Sequence, residues 1–203
     1  YFHIAAVKTD GPATAFGNGP ALRRQFANQG WLTAEPGETD AGPRPAQSAP
    51  VLAVSINLGR VSEEPTVRPV ILAYDDEFSI QYLEQNLRPY WRRQGATAAQ
   101  LLEQSALEFD RLRARCERFD AELMADLVKA GGEEYAAICA LAYRQCVAGN
   151  KLVVDARGRP LMFPKENFSN GCIGTVDVLY PMAPQFLLLS PALTRAMLTP
   201  ILD

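Results

Sequence analysis

The stretch Lys165-Glu166-Asn167-Phe168-Ser169-Asn170-Gly171-Cys172-Ile173-Gly174-Thr175-Val176-Asp177-Val178-Leu179-Tyr180-Pro181 gathers most of the groups in this chain that can do chemistry. Its first thirteen residues hold two carboxylates (Glu166, Asp177), the Lys165 ammonium, two amides (Asn167, Asn170) and two hydroxyls (Ser169, Thr175). Gly171 and Gly174 let backbone approach a bound molecule closely. The stretch is too polar for a core and too apolar for a free linker, so it reads as a surface loop of the kind that carries sites. The plainer alternative is that Ser169-Asn170-Gly171 and Gly174-Thr175 form ordinary turns, with Lys165 and Glu166 capping or pairing at the surface.

Other chemistries find little material. The single histidine, His3, leaves no partner set for a Ser-His-Asp or Cys-His arrangement, so catalysis has to use carboxylates. Cys116, Cys139, Cys146 and Cys172 show no CxxC spacing, and no metal or cofactor is expected. Seven residues of helix put Cys139 and Cys146 about 10 Å apart, beyond disulfide reach, and the four thiols are expected to be buried. A net charge of -3 and a pI near 5.3 give no basic field for nucleic acid. No apolar run approaches the roughly 18 residues of a membrane-spanning helix. The first residues lack a charged leader and Pro200-Ile201-Leu202-Asp203 lacks a cap, so both ends are expected to be cut points in a longer polypeptide.

The elements that must position the loop change character near residue 75. Up to there, short apolar runs (Phe2 to Val7, Val51 to Ile56, Val67 to Tyr74) alternate with Gly- and Pro-rich segments, the pattern of strands and turns. Glu35 to Pro50, with four prolines and two glycines, reads as a long mobile surface loop. Beyond it, Ser79, Ile80, Tyr82, Leu83 and Leu87 suggest a helix capped by Asp75-Asp76 and ending near Pro89. Leu102, Ala106, Phe109, Leu112, Cys116, Phe119, Leu123, Leu127 and Ala130 recur with a mean step of 3.5, one long amphipathic helix ending at Gly131-Gly132. A third helix starts at Glu133-Glu134 and runs to Gly149-Asn150, so two antiparallel helices share one apolar seam. Lys151 to Asp155 and Pro160 to Phe163 flank a hairpin turn with Gly158 at positive φ, and a last helix follows Ser190-Pro191. The expected domains are 1–74, largely β, and 75–203, helical with a β-hairpin near 151–163.

The run KENFSNGCIGTVDVLYPMAPQFLLLSP resembles the signature region of the glutaminase A family of exported fungal and bacterial proteins. The stretches YDDEFSIQYL before PYWRR, CERFDAELMADLVKAGGEEYAAICALAYRQ and GNGPALRRQFANQGWL are also similar to that family, so the likeness covers nearly the whole chain. It implies an α+β chain: the terminal strands of a β-sandwich, then the first helical hairpins of an α/α toroid similar to six-hairpin glycosidases. It also implies an extracellular or periplasmic location, the rest of a parent polypeptide as partner, and hydrolysis of L-glutamine to glutamate and ammonia.

For that reaction Glu166 and Asp177 are the candidate acid and base. Lys165 or Arg144 can meet the substrate carboxylate, Arg with a bidentate fork, and Asn170 can donate to a developing oxyanion. Asn167, Ser169 and Thr175 complete the expected substrate-binding set. Glycoside hydrolysis by the same carboxylates, with Trp91, Tyr90 or Tyr180 as sugar platforms, is the alternative; a non-catalytic structural module is another. Trp91 reads better as an anchor at a helix junction and Arg144 as an exposed cation on a polar helix face; Asp120, beside the apolar stripe in Arg118-Phe119-Asp120, is a candidate buried partner for such an arginine, with a plain structural role the preferred reading. Asn167-Phe168-Ser169 also matches a glycosylation sequon.

Overall fold

A computed structural model describes residues 1–7, 13–33, 50–165 and 171–202. The architecture is α+β, and the chain divides into two compact units, Tyr1–Asp75 and Asp76–Asp203.

In the first unit β1 (Phe2–Ala6) pairs antiparallel with β4 (Val70–Tyr74), Phe2 facing Tyr74 and Ala6 facing Val70. Likewise β2 (Ala13–Gly17) pairs with β3 (Val51–Ser55). Burial along β4 alternates residue by residue as the pleat requires, yet its outer positions Val70, Leu72 and Tyr74 are apolar and exposed. Between β2 and β3 lies a helix that the strand-and-turn reading passed over, α1 (Gly19–Gln29). Its ends carry the expected chemistry. The Asn18 side chain accepts from the Ala21 amide at 3.0 Å, Pro20 sits in the first turn, and Gly30 closes the helix at φ 77°. The loop expected over Glu35 to Pro50 lies outside the described residues except for Pro50.

The second unit is built on one antiparallel sheet in the order β5-β6-β7-β8. The helix expected around Ser79 to Leu87 is not there: β5 (Ile80–Tyr82) and β6 (Gln85–Pro89) form a hairpin instead. Leu83 and Glu84 make its two-residue turn at φ 45° and 62°, both left-handed, which matches the strand twist. A single 3-10 turn follows at Tyr90–Arg92. Strands β7 (Asn150–Val154) and β8 (Pro160–Pro164) join through a turn in which Gly158 has φ 78°. Asp155 holds that turn, accepting from the Arg157 and Arg159 amides at 2.9 and 2.7 Å and from Arg159 Nε at 2.8 Å.

The helix α2 (Ala98–Ala148) opens on a capping box between Thr97 and Gln100 and breaks at Gly132, whose φ 85° and ψ 178° no helix permits. The break turns it into a hairpin. Phe119 and Tyr143 lie 24 residues apart, about 36 Å on a straight helix, yet their ring centroids are 5.8 Å apart. The two-helix reading with its glycine stop therefore holds, and a Cβ on Gly131 would meet the Tyr135 ring at 2.5 Å. The thiols are less buried than expected: Cys116 and Cys172 are exposed, Cys139 and Cys146 half-buried. All four ride on helix surfaces or loops, where a small apolar group is tolerated without burial.

Two helices close the unit, α3 (Val176–Leu189) and α4 (Pro191–Leu202). They cover one part of the sheet: Met162 packs with Leu179, Met182, Phe186, Ala196 and Met197. A second cluster joins Ile80, Leu87, Val153, Leu161 and Phe163, with Tyr82 against Phe163 at 5.2 Å between ring centroids. The Tyr82 hydroxyl donates to the Pro200 carbonyl at 2.5 Å and so pins the end of α4 to the sheet.

Candidate functional site

The root of the chemistry-bearing loop is built from backbone. Lys165 bridges Ile173, the Gly174 amide donates to the Pro164 carbonyl at 3.2 Å, and the Lys165 amide donates to the Gly149 carbonyl at 3.0 Å. Lys165 and Ile173 thus lie side by side at the end of β8. That place abuts the end of the second arm of α2, because Gly149 follows Ala148 directly. Asn150 fastens the same corner, donating through Nδ2 to the Cys146 carbonyl at 2.6 Å and to the Met182 sulfur at 3.2 Å.

Four of the expected site residues are described. Lys165 is exposed at the loop root. Arg144, also exposed, lies five residues before Gly149, about 7.5 Å along the helix axis from the carbonyl that receives the Lys165 amide. Thr175 is the N-cap of α3, but its hydroxyl caps nothing and is buried without a hydrogen-bond partner among the described residues. Asp177 does not lie in a loop, as expected, but exposed in the first turn of α3, where a carboxylate suits the positive end of the helix dipole. No hydrogen bond or ion pair links Arg144, Lys165, Thr175 and Asp177 to one another among the described residues. Glu166, Asn167, Ser169 and Asn170 lie outside the described residues, and with them the sequon.

Three cavities lined by described residues avoid this corner. One of about 230 Å³ lies beside the β7-β8 turn, lined by Tyr82, Asp155, Arg157 and Arg159 among others. Another of about 470 Å³ separates α1 from β3, and a third of about 400 Å³ lies between β8 and α4. Among the described residues no three His, Cys, Asp or Glu side chains gather as metal ligands would. No described helix is long and apolar enough to cross a membrane.

The clearest electrostatics are structural. Lys151 Nζ meets Asp76 Oδ2 at 2.6 Å and Ser79 donates to the other oxygen at 2.7 Å. Burial pushes the Asp76 carboxyl up, but the bonds from Lys151 and Ser79 and the lysine charge outweigh it and hold the group below its ordinary value. Asp155 is likewise pushed up by burial and drawn down further by the Arg159 amide and guanidinium and the Arg157 amide.

The expected sugar platforms are partly occupied. The Arg92 guanidinium lies over Trp91 at 4.5 Å and Arg93 over Tyr90 at 4.2 Å, so each ring presents one face to a cation of its own chain. Half-buried Trp91 fits the anchor reading. Tyr180 remains exposed on α3. Sequence reasoning missed the Asp76–Lys151 pair and the Asp155 clasp because each joins a turn to residues whose types occur everywhere on protein surfaces.

Two family models divide the chain. Residues 1–126 match a domain of unknown function (DUF5127) and residues 132–203 match the glutaminase A six helical-hairpin domain. The border between the two models falls at the tip of the α2 hairpin. A probable glutaminase from Arthroderma benhamiae is 25% identical over 197 residues, which cover 92% of this chain and 23% of that protein. Glutaminase A from Aspergillus oryzae is 32% identical over 160 residues, 76% of this chain and 23% of that protein. The chain thus spans about a quarter of the length of these relatives. No solved structure matches it.

Proposed function

Because the chain belongs to the glutaminase A family, we propose that it is one portion of a longer, exported protein that hydrolyses the side-chain amide of L-glutamine to glutamate and ammonia. The observation that carries this reading is the match to two proteins named as glutaminases over 92% and 76% of the chain. In the same reading the strands of the first unit are the end of a β-sandwich and the helices the first hairpins of an α/α toroid. The exposed outer face of β4 and the exposed apolar residues of α2 and α3 are the surfaces such additional layers would cover.

The reaction adds water across the amide carbonyl and expels ammonia. One carboxylate, Glu166 or Asp177, takes a proton from the attacking water, and the other protonates the leaving nitrogen. Asn170, Asn167, Ser169 and Thr175 are amide and hydroxyl groups suited to the carbonyl oxygen, whose negative charge grows on the way to the tetrahedral intermediate. Lys165 or Arg144 pairs with the substrate's α-carboxylate. The closeness of the Lys165 amide to the end of the Arg144-bearing arm supports assigning both cations to one neighbourhood.

Ammonia release from L-glutamine, measured for this chain beside a chain spanning the full length of the relatives, tests the proposal. Release by both puts the catalytic groups within these residues; release by the long chain alone makes this chain an incomplete half-site. No release from either, with both folded, overturns the activity. In an active protein Glu166→Gln and Asp177→Asn are each expected to lower turnover by about 10²-fold or more; unchanged turnover removes that residue from the mechanism.

A further inference from the structure

The α2 hairpin fixes a register from which a pairing can be read. Phe119 stacks on Tyr143, and the midpoint of that pair is residue 131, next to the break at Gly132. In antiparallel helices each layer is reached by stepping three or four residues up one arm and the same number down the other, so facing residues keep a constant sum of numbers. Counted from the ring pair on that rule, Leu123 stands opposite Cys139 one layer toward the tip, and Cys116 opposite Cys146 one layer away from it, three residues from Phe119 and three from Tyr143, both as free thiols. Ala136, wholly buried, lies near the tip.

Helix axes pack 8–10 Å apart and Cα atoms lie about 2.3 Å from the axis, so residues facing across the seam have Cα atoms about 3.5–5.5 Å apart, rather more if they flank it. A disulfide needs about 4.4–6.8 Å. We infer that Cys116 and Cys146 are a disulfide site that staples the two arms of α2, formed by thiol–disulfide exchange with a small disulfide oxidant. Cys139 is excluded as a partner of Cys146 because they share one arm, about 10 Å apart.

Exposure sets the order of events. Cys116 is exposed and Cys146 half-buried against Met182 and its neighbours. Oxidised glutathione therefore reaches Cys116 first, whose thiolate attacks it, expelling one glutathione thiolate and leaving a mixed disulfide. The Cys146 thiolate then attacks the Cys116 sulfur, forming the protein disulfide and expelling the second glutathione. Two protein thiols are oxidised, one oxidised glutathione is reduced to two glutathiones, and both thiol protons end on the released thiolates. The inference does not depend on the glutaminase reading.

The full chain is treated with oxidised glutathione, digested without reduction and mapped by mass. The expected result is a single intramolecular link between the Cys116 and Cys146 peptides, a loss of two hydrogens that dithiothreitol restores, and a thermal midpoint several degrees above that of the reduced chain. Cys139→Ser and Cys172→Ser keep the link, whereas Cys116→Ser and Cys146→Ser lose it. A link through Cys139 or Cys172, a dimer through Cys116, or glutathione adducts alone overturns the pairing.

Discussion

The α2 hairpin and the sheet with α3 and α4 belong to the same compact unit, yet they are stabilised in opposite ways. The sheet has a core of its own, in which Val153 is wholly buried and Phe163 and Phe186 are each 2% exposed. Along the 51 residues of α2 only Ala136 is buried, while Leu107, Ile138 and Leu141 are each more than half exposed. The sheet region is therefore held by burial of apolar surface, about 25 cal/mol for each Å². The hairpin is held by its cap, its glycine turn and a narrow seam. A long periodic apolar stripe shows that a helix forms; it does not show that this chain buries it.

That contrast can be broken from both sides. Phe186→Ala or Phe163→Ala empties a packed site and is expected to cost about 3–5 kcal/mol of stability, read from denaturant midpoints. Gly132→Ala forces a side chain into a backbone region that essentially only glycine occupies. It should cost about 1–3 kcal/mol, with the loss of helical signal confined to the hairpin. Asp76→Asn removes the Lys151 ion pair and should cost about 1–2 kcal/mol.

The pH dependence has a definite sign. Asp76 and Asp155 sit below their ordinary value of 3.8 in the folded chain, so their contribution is complete above that pH and is lost as the pH falls through the lower folded values. Acid titration of Asp76→Asn should accordingly be flatter below pH 3.8 than that of the parent chain. Thr97→Ala removes the capping box and should cost about 1 kcal/mol. Ile138→Ser, on the open face of the hairpin, should change stability by no more than about 0.5 kcal/mol. A cost above about 2 kcal/mol there would mean that the face is covered in solution.

The same contrast explains what was legible beforehand. The two arms of α2 could be read because a stripe of mean step 3.5 meets a glycine pair, and both signals are local. Gly158 marked its turn for the same reason. The β5-β6 hairpin was misread because Ile80, Leu83 and Leu87 also fit helical spacing and the turn lacks the Asn-Gly that advertises such a bend. The Leu83-Glu84 turn is closed by the β5-β6 pairing, and β6 in turn pairs with β7, a strand more than sixty residues away that local spacing does not reveal. Helix α3 was hidden by Pro181 and Pro184, which stand inside it although proline ordinarily ends a helix; packing of Leu179, Met182 and Phe186 on β8 overrides that preference. Helix α1 carries readable caps in Asn18, Pro20 and Gly30, but these residue types also make turns, which is how they read in a stretch of short strands. Of the candidate site, only the residue types were legible. The start of α3 at Val176, and with it the helical setting of Asp177, was not.

The tight turn at Gly131-Gly132 also limits how the chain can change length. Residues are matched across the seam by equal distance from the turn, so adding one residue to either arm would displace every pair between that point and the open end of the hairpin. Single-residue insertions or deletions within an arm should therefore be tolerated far less well than substitutions at the same positions. Changes at the tip lengthen the connection and leave the matched pairs intact, so the tip is where a sequence graft or a reporter tag should be placed.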